Sequence, residues 1–139
     1  MEKFIVLLGP TASGKTKLAV SLANQLHGEI ISADSRQIYK GMDIGTGKDL
    51  KEYIINNKKI NYHLINILEP IKDYSVFKFK NDFKKSFDKI INKKRIPIVC
   101  GGTGLYIESI LLDYKMPKAI PNVLLRQKLE AQNLKQLIS

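Results

Sequence analysis

The chain has 139 residues, of which 44% are apolar and 26% charged, as in an ordinary globular protein of one domain. No apolar run approaches the roughly 20 residues that a membrane-spanning helix needs. The run at residues 4–8 is too short for the core of a signal peptide, and one cysteine excludes an internal disulfide. We therefore expect a cytoplasmic globular protein rather than a secreted, membrane or disulfide-bonded one.

The first 35 residues predict the start of an α/β fold. Residues 4–8 predict a strand buried on both faces of a parallel sheet. A helix follows, ended by Gly28, and residues 29–33 predict a second strand beside the first, with Asp34 at its carboxyl end. The helix is predicted from apolar residues at helical spacing, which are Leu18, Ala19, Leu22, Ala23 and Leu26. Strand, Gly-rich loop, helix and strand are typical of a doubly wound domain.

The rest of the chain continues this alternation. Residues 41–59 predict a loop with some helix, 64–68 a short strand, 96–100 another strand, 105–112 a helix, and 122 onward a final, more polar helix. Ser75 is a candidate N-cap for a long helix. The apolar residues of this helix are spaced by three and four, which predicts a core face rather than a base-stacking surface; they are Val76, Phe79, Phe83, Phe87, Ile90 and Ile91.

The net charge of +10 is concentrated in the middle of the chain. Between Lys72 and Arg95, nine Lys or Arg residues stand against three Asp. Such a surplus attracts phosphate-rich partners, and salt weakens the attraction. The solvated face of a lysine-rich helix explains the surplus equally well, so charge alone identifies no partner.

Between the first strand and the first helix lies a complete phosphate-loop pattern, G-x-x-x-x-G-K-[ST]. Backbone N–H groups of such a loop surround an anion, the helix N-terminus adds partial positive charge, the lysine contacts the terminal phosphate, and the hydroxyl of the last residue binds Mg²⁺. The loop consists of Gly9, Pro10, Thr11, Ala12, Ser13, Gly14, Lys15 and Thr16. It predicts a diphosphate- or nucleotide-binding site with Thr16 as the metal ligand.

A second Gly-rich stretch, 41–48, fails this pattern because its spacing is one residue too long and Asp49 replaces the hydroxyl. We interpret it as a loop. Asp34 follows a strand at the sheet edge where α/β proteins bind ligands, so its carboxylate is a candidate for binding Mg²⁺ through water or for accepting a proton. Capping of the following turn is the alternative role for Asp34.

Three blocks of the sequence resemble the tRNA dimethylallyltransferase (isopentenyltransferase) family. They are the phosphate loop GPTASGKT, the segment ISADSRQIYKGMDIGTGK, and RIPIVCGGTGLY. The resemblance implies a P-loop NTPase-like parallel sheet flanked by helices. It also implies transfer of a dimethylallyl group from dimethylallyl diphosphate to N6 of the adenosine next to the anticodon. Adenylate isopentenyltransferases share this fold and are an alternative.

The resemblance also implies roles for individual residues. Asp34 matches the base that takes the proton from the adenine, and Thr11 matches a hydroxyl near the bridging oxygen of the diphosphate. The phosphate loop would bind the diphosphate together with Mg²⁺. The residues that match the family's contacts to the flipped-out base and the tRNA anticodon loop are Asp34, Ser35, Arg36, Gln37 and Thr103.

Members of that family are longer than this chain. The resemblance therefore divides it into a phosphate-loop core, 1–115, and the start of a helical insertion, 116–139. Where the family often has an arginine that contacts RNA, this chain has Leu124, with Arg126 two residues on. We expect an incomplete sheet with an uncovered apolar edge or face, which favours self-association.

Two further classes of function remain open at this stage. One is a phosphate-binding module without catalysis, and the other is a small-metabolite kinase. A kinase lid rich in arginine is not evident, since the arginines are Arg36, Arg95 and Arg126 alone. His27 and His63 show no metal-ligand spacing and receive no role. Cys100 is interpreted as a small core residue.

Overall fold

The computed structural model describes residues 3–117 and 122–138. It contains a parallel sheet of four strands: β1 (Ile5–Leu8), β2 (Glu29–Ser32), β5 (Tyr62–His63) and β6 (Pro97–Gly101). Their spatial order is β1-β6-β2-β5. Strands β3 (Ile54–Ile55) and β4 (Lys58–Lys59) form a separate antiparallel hairpin, preceded by a 3₁₀ helix, Leu50–Tyr53.

Helices cover both faces of the sheet, as expected for a parallel sheet. Helix α1 (Lys15–Gln25) packs on one face, and helices α2 (Val76–Asn92) and α3 (Gly104–Leu111) pack on the other. Alternate residues of one strand therefore enter different cores: Ile30 lies in the core under α1, and Ile31 in the core under α2. The α/β class, with a parallel sheet flanked by helices, is confirmed. No helix of the described ranges is long and apolar enough to span a bilayer.

Strand β1 differs from its prediction. It pairs with β6 on one side, while its other edge pairs with no strand of the described residues. Its residues are consequently half-buried rather than buried on both faces, and Leu8 is 57% exposed. The apolar run predicted the strand correctly, but a position at the edge of the sheet is a tertiary property that an apolar run does not encode.

The second difference decides the geometry of the site. The sequence predicted β2 beside β1, which is wrong. Strand β6 lies between them and pairs in parallel with both. Gly101 makes this possible at the carboxyl ends: a Cβ there would lie 2.2 Å from the carbonyl oxygen of Ala33. The backbones of β6 and the end of β2 thus approach more closely than any side chain permits.

The prediction of a strand at 64–68 is also wrong. The strand is β5, two residues earlier, because Leu64 and Asn66 have positive φ values of 62° and 55° that an extended strand excludes. Beyond this turn, Leu68 forms a single parallel bridge with Tyr39. Leu64 and Ile65 are both buried, one on each side of the sheet, which explains the apolar run.

The long helix α2 follows its prediction closely. The Ser75 hydroxyl accepts a hydrogen bond from the N–H of Lys78, which caps the helix. Phe79 stacks on Tyr106 of α3 with ring centroids 4.3 Å apart, so the aromatic stripe is core. The final helix is instead two short helices, α4 (Val123–Glu130) and α5 (Leu134–Leu137), separated by a capping box at Asn133, and neither contains a buried residue.

A buried carboxylate lies at the amino ends of the strands, opposite the phosphate loop. Glu29 is fully buried at the start of β2 and accepts hydrogen bonds from four side chains: Asn61, His63, Lys93 and Arg95. Burial opposes ionisation of Glu29, but the hydrogen bonds from His63, Lys93 and Asn61 outweigh it and lower its pKa to about 2. Glu29 therefore joins β2 to β5 and to the end of α2, which gives His63 a structural role.

This cluster predicts a loss of stability in acid. A carboxylate with a lowered pKa in the folded state stabilises fully above its unfolded pKa of 4.5, and this stabilisation is lost as the pH falls towards about 2. We expect the free energy of unfolding to drop by about 3 kcal/mol across that window. The substitution Glu29→Gln should remove most of this pH dependence and destabilise the protein at neutral pH, because two cations lose their partner.

Urea titrations at several pH values measure both effects. Glu69→Gln is the matched control, since Glu69 also has a lowered pKa but forms an exposed pair with Lys40. It should change the free energy of unfolding little at any pH, because water screens an exposed ion pair. Equal effects of the two substitutions would contradict the role of Glu29.

Candidate active site

The carboxyl ends of β1, β2 and β6 open into one cavity of about 580 Å³. Four segments form its walls: the phosphate loop, the turn after β2, the Gly-rich loop that leads into the 3₁₀ helix, and the end of β6. Parallel strands bring their carboxyl ends to the same edge of a sheet, which is where α/β proteins bind ligands. This cavity is the candidate active site.

The phosphate loop has the backbone that an anion requires. Gly14 has a φ of 80° at the N-cap of α1, a conformation that only glycine adopts at little cost. No side chain caps α1, and its first turn contains no acidic residue, so its free N–H groups remain available for an anion. Lys15 folds back over the loop, and its Nζ donates hydrogen bonds to the Pro10 carbonyl and the Ser13 hydroxyl.

Asp34 caps the turn after β2 through one of its carboxylate oxygens. Its Oδ1 accepts hydrogen bonds from the backbone N–H groups of Arg36, at 2.8 Å, and Gln37, at 3.3 Å, which fixes the turn after β2. Within the described residues, no group donates to its Oδ2. Since Asp34 also lines the cavity, one carboxylate oxygen holds the turn while the other is free to meet a substrate.

Ser35 and Thr103 meet through the close approach of β2 and β6. The N–H of Ser35 donates to the Thr103 hydroxyl at 3.0 Å, and that hydroxyl lies 3.4 Å from the hydroxyl of Ser35. Thr103 is the N-cap of α3, yet its side chain bonds to Ser35 rather than to its own helix. Residues 68 positions apart in the sequence therefore form one rim at the carboxyl end of the sheet.

The Gly-rich loop 41–49 is the part of the site that sequence reasoning missed. It is a loop, as interpreted, but it forms a wall of the same cavity that the phosphate loop lines. Lys48 fixes it from inside: its side chain is 1% exposed, and its Nζ donates to the Tyr39 carbonyl, Asn66 Oδ1 and Asp43 Oδ1 at 2.7, 2.6 and 3.0 Å. The signal available in the sequence was a lysine within a Gly-rich segment. This segment departs from the phosphate-loop pattern by one residue of spacing and by Asp49.

Gln37 fastens this loop to the sheet. Its side-chain Nε2 donates to the carbonyls of Gly47 and Thr46, at 3.2 and 3.4 Å, and its Oε1 accepts from the Ser32 hydroxyl of β2. The hydrogen bonds of this side chain thus go to the protein's own backbone and to the Ser32 side chain. Gln37 supports the cavity wall as well as lining it.

The floor of the cavity contains two groups that stay protonated. Burial raises the pKa of the Cys100 thiol to about 11, although Lys15 opposes this effect. Burial also raises the pKa of the Tyr53 hydroxyl well above its usual range. Neither group is ionised near neutral pH, so neither serves as a base. Cys100 is buried in the core under α1, as predicted, and it also lines the cavity.

The cavity offers hard oxygen donors but no closed metal site. Among residues 3–117 and 122–138, no three Asp, Glu, His or Cys side chains come together to hold a metal ion. Thr16, in the first turn of α1, and the carboxylates of Asp34 and Asp43 line the cavity. Mg²⁺ prefers such oxygens and commonly takes its other ligands from substrate phosphates and water. This donor set fits a Mg²⁺ ion that arrives with a diphosphate.

The structure brings most of the predicted site residues together. Those that line the cavity are Thr11, Ala12, Ser13, Gly14, Lys15, Thr16, Asp34 and Gln37. Gly9 and Pro10 begin the phosphate loop but are not part of this lining, and Ser35, Arg36 and Thr103 lie at the adjoining carboxyl ends of β2 and β6. The roles of these residues remain predictions.

A parallel sheet flanked by helices, with a phosphate loop between β1 and α1 and a polar cavity at the carboxyl ends of the strands, defines a P-loop NTPase-like protein. The family model described as IPP transferase matches residues 37–139, which include the Gly-rich loop and the end of β6. The chain belongs to the IPP transferase family.

Relatives and solved structures agree with this assignment. The tRNA dimethylallyltransferase 1 of Azobacteroides pseudotrichonymphae is 54% identical over 97% of this chain. The full-length tRNA isopentenylpyrophosphate transferase of Bacillus halodurans is 39% identical over 94% of this chain, with a TM-score of 0.78. A eukaryotic dimethylallyltransferase, solved in crystallographic snapshots as it acts on tRNA, is 29% identical over 96% of this chain, with a TM-score of 0.81.

The chain spans less than half the length of each of these proteins. It covers 44% of the first, 42% of the second and 33% of the third. All three matches include nearly the whole chain, so the described fold corresponds to one part of a longer architecture in these relatives.

Proposed function

We propose that this chain forms the catalytic core of a tRNA dimethylallyltransferase. The reaction transfers a dimethylallyl group from dimethylallyl diphosphate to N6 of the adenosine next to the anticodon. The observation that carries the proposal is that one cavity joins the phosphate loop to Asp34. The phosphate loop would bind the leaving diphosphate on one side of the reacting atoms, and the Asp34 carboxylate would accept the N6 proton on the other.

The leaving diphosphate would occupy the phosphate loop. As the bond between C1 of the dimethylallyl group and the bridging oxygen breaks, the electron pair goes to the diphosphate. Lys15 and the N–H groups at the start of α1 stabilise the negative charge that develops there. Thr11, which also lines the cavity, would donate a hydrogen bond from its hydroxyl near the bridging oxygen. Thr16 would hold Mg²⁺, which supplies further neutralisation of the diphosphate when bound.

Asp34 would act on the nucleophile. N6 of adenine is a weak nucleophile, and it becomes cationic as its bond to C1 forms unless a base removes a proton. Asp34 Oδ2 takes that proton, while the two backbone hydrogen bonds to Oδ1 hold the carboxylate in place. The reaction then balances as a new N6–C1 bond, a released diphosphate and a protonated Asp34, which returns its proton to water.

The acceptor would be an unpaired adenosine of the anticodon loop, turned out of the stack into the cavity. Ser35, Arg36, Gln37 and Thr103 would contact the RNA around it. Residues 1–115 would be the phosphate-loop core and 116–139 the beginning of a helical insertion. In support of that division, α4 and α5 contain no buried residue, whereas α1, α2 and α3 each contribute to a core.

Self-association stays a prediction, and two surfaces would carry it. One is the edge of β1 that no described strand covers. The other is the exposed leucines of α4 and α5, of which Leu124 is 80% and Leu134 73% exposed. Both are apolar or unpaired surfaces of the kind that promotes contact between chains.

Transfer of radiolabelled dimethylallyl groups tests the proposed function. The chain is incubated with labelled dimethylallyl diphosphate and Mg²⁺, with an anticodon stem-loop in one tube and AMP in a parallel tube. We expect label in the stem-loop alone. Label in AMP would move the chain to the adenylate isopentenyltransferases. No label in either tube, with diphosphate still bound, would identify a phosphate-binding module without catalysis.

A further inference from the structure

Ile44 is an isoleucine in full contact with solvent beside the candidate active site. It is 98% exposed, and its two neighbours in the chain, Asp43 and Gly45, both line the cavity. Ile44 therefore lies at the mouth of the cavity. Met42, in the same loop, is 41% exposed and adds to the apolar surface there.

The exposure of Ile44 belongs to a loop that is held in place. Lys48 anchors the loop from its buried side, and Thr46, itself buried, donates from its hydroxyl to the Met42 carbonyl at 2.7 Å. The side-chain amide of Gln37 holds the same part of the loop through the carbonyls of Thr46 and Gly47. These hydrogen bonds hold the backbone on both sides of Ile44, so ordering the loop costs little when a ligand contacts Ile44.

The chemistry of the cavity limits what the apolar contact can be. The neighbouring walls carry a phosphate loop and the side chains of Lys15 and Lys17, which suit a phosphate-bearing ligand. The apolar surfaces of an RNA are the faces of its bases, and an unpaired base removes such a face from water when it packs against an apolar side chain. An aliphatic side chain at the mouth of such a cavity therefore matches a base adjacent to the one that enters.

We propose that Ile44 is a specificity-determining contact for the acceptor RNA. It packs against the face of the unpaired base that neighbours the acceptor adenosine, and Lys48 is the positioning residue that holds it there. The inference rests on the proposed function, because it takes the acceptor to be an unpaired RNA loop. It goes beyond that function in naming a residue that reads the neighbour of the target rather than the target itself.

The test compares Ile44→Ser with Ile71→Ser. Ile71 is 92% exposed and lies outside the cavity lining, so both substitutions remove an exposed isoleucine and neither should change the urea midpoint. The ligand is an anticodon stem-loop with 2-aminopurine as the base next to the acceptor adenosine, and diphosphate binding is measured separately by calorimetry. Ile44→Ser should weaken RNA binding about tenfold and alter the fluorescence of the bound 2-aminopurine. Diphosphate binding should not change.

Ile44→Leu and Lys48→Met complete the series. The leucine variant should retain RNA affinity, since it keeps an apolar side chain of the same size. Lys48→Met should weaken RNA binding and speed amide hydrogen exchange in 41–49, with exchange in the phosphate loop unchanged. Equal RNA binding by wild type and Ile44→Ser, or equal losses in Ile44→Ser and Ile71→Ser, would overturn the proposal. Wild type that binds diphosphate but no RNA would overturn the proposed function, and this inference with it.

Discussion

Replacing Asp34 by Asn should reduce the rate of dimethylallyl transfer by a factor of about 10² to 10⁴, the usual contribution of a general base. The amide keeps the shape of the carboxylate, and its oxygen still accepts the N–H groups of Arg36 and Gln37. The turn after β2 should therefore remain in place. What is lost is the second oxygen. The NH₂ group that replaces it cannot accept a proton.

The measurement is single-turnover transfer to an anticodon stem-loop, with the dissociation constant of diphosphate determined on the same preparation. Glu52→Gln is the matched control, because Glu52 also lines the cavity and undergoes the same chemical change. It should keep a rate within a few-fold of wild type. If Asp34→Asn loses diphosphate binding together with transfer, Asp34 organises the phosphate site and the role of base is wrong.

Replacing Lys15 by Met should weaken diphosphate binding by about 10- to 100-fold, the range for one lost charge-assisted hydrogen bond. The stem of the side chain is retained, and the charge alone is removed. Transfer should fall at least as much as binding, because the charge on the diphosphate is greatest once the C–O bond has broken. Calorimetry with inorganic diphosphate and single-turnover assays at saturating substrate separate the two effects.

Lys17→Met tests whether position or mere charge matters. Lys17 also lines the cavity, and its loss changes the net charge by the same amount. Because it follows the loop rather than belonging to it, its substitution should change diphosphate affinity by less than about threefold, as expected for an exposed charge. Equal losses in Lys15→Met and Lys17→Met would mean that overall positive charge, and not the position of Lys15 in the phosphate loop, binds the diphosphate.

Local patterns of the sequence were sufficient for much of the fold. The phosphate loop is a contiguous motif, and helix α2 follows from an N-cap at Ser75 and an apolar stripe whose period is that of a helix. Such features depend on residues within a few positions of each other. The family also followed from contiguous blocks, and the match to residues 37–139 bears it out.

Other features depend on contacts between distant residues. The pairing of β6 with both β1 and β2 rests on backbone hydrogen bonds and on the missing Cβ of Gly101, neither of which produces a pattern along the chain. The ion pairs of Glu29 with Lys93 and Arg95 span 64 and 66 positions. A glutamate at the start of a predicted strand gave no sign that it would be buried.

The sequence by itself predicted a phosphate-binding loop, and it determined that this protein has an α/β fold and which family it belongs to, because a motif and a hydrophobic period are local properties. Only the tertiary structure decided what shares the cavity with the phosphate loop. The loop 41–49 lines this cavity because a buried Lys48 joins Asp43 to Tyr39 and Asn66, three groups that meet only when the chain is folded. Desolvation of that ammonium group requires all three acceptors at once, and the fold alone assembles them.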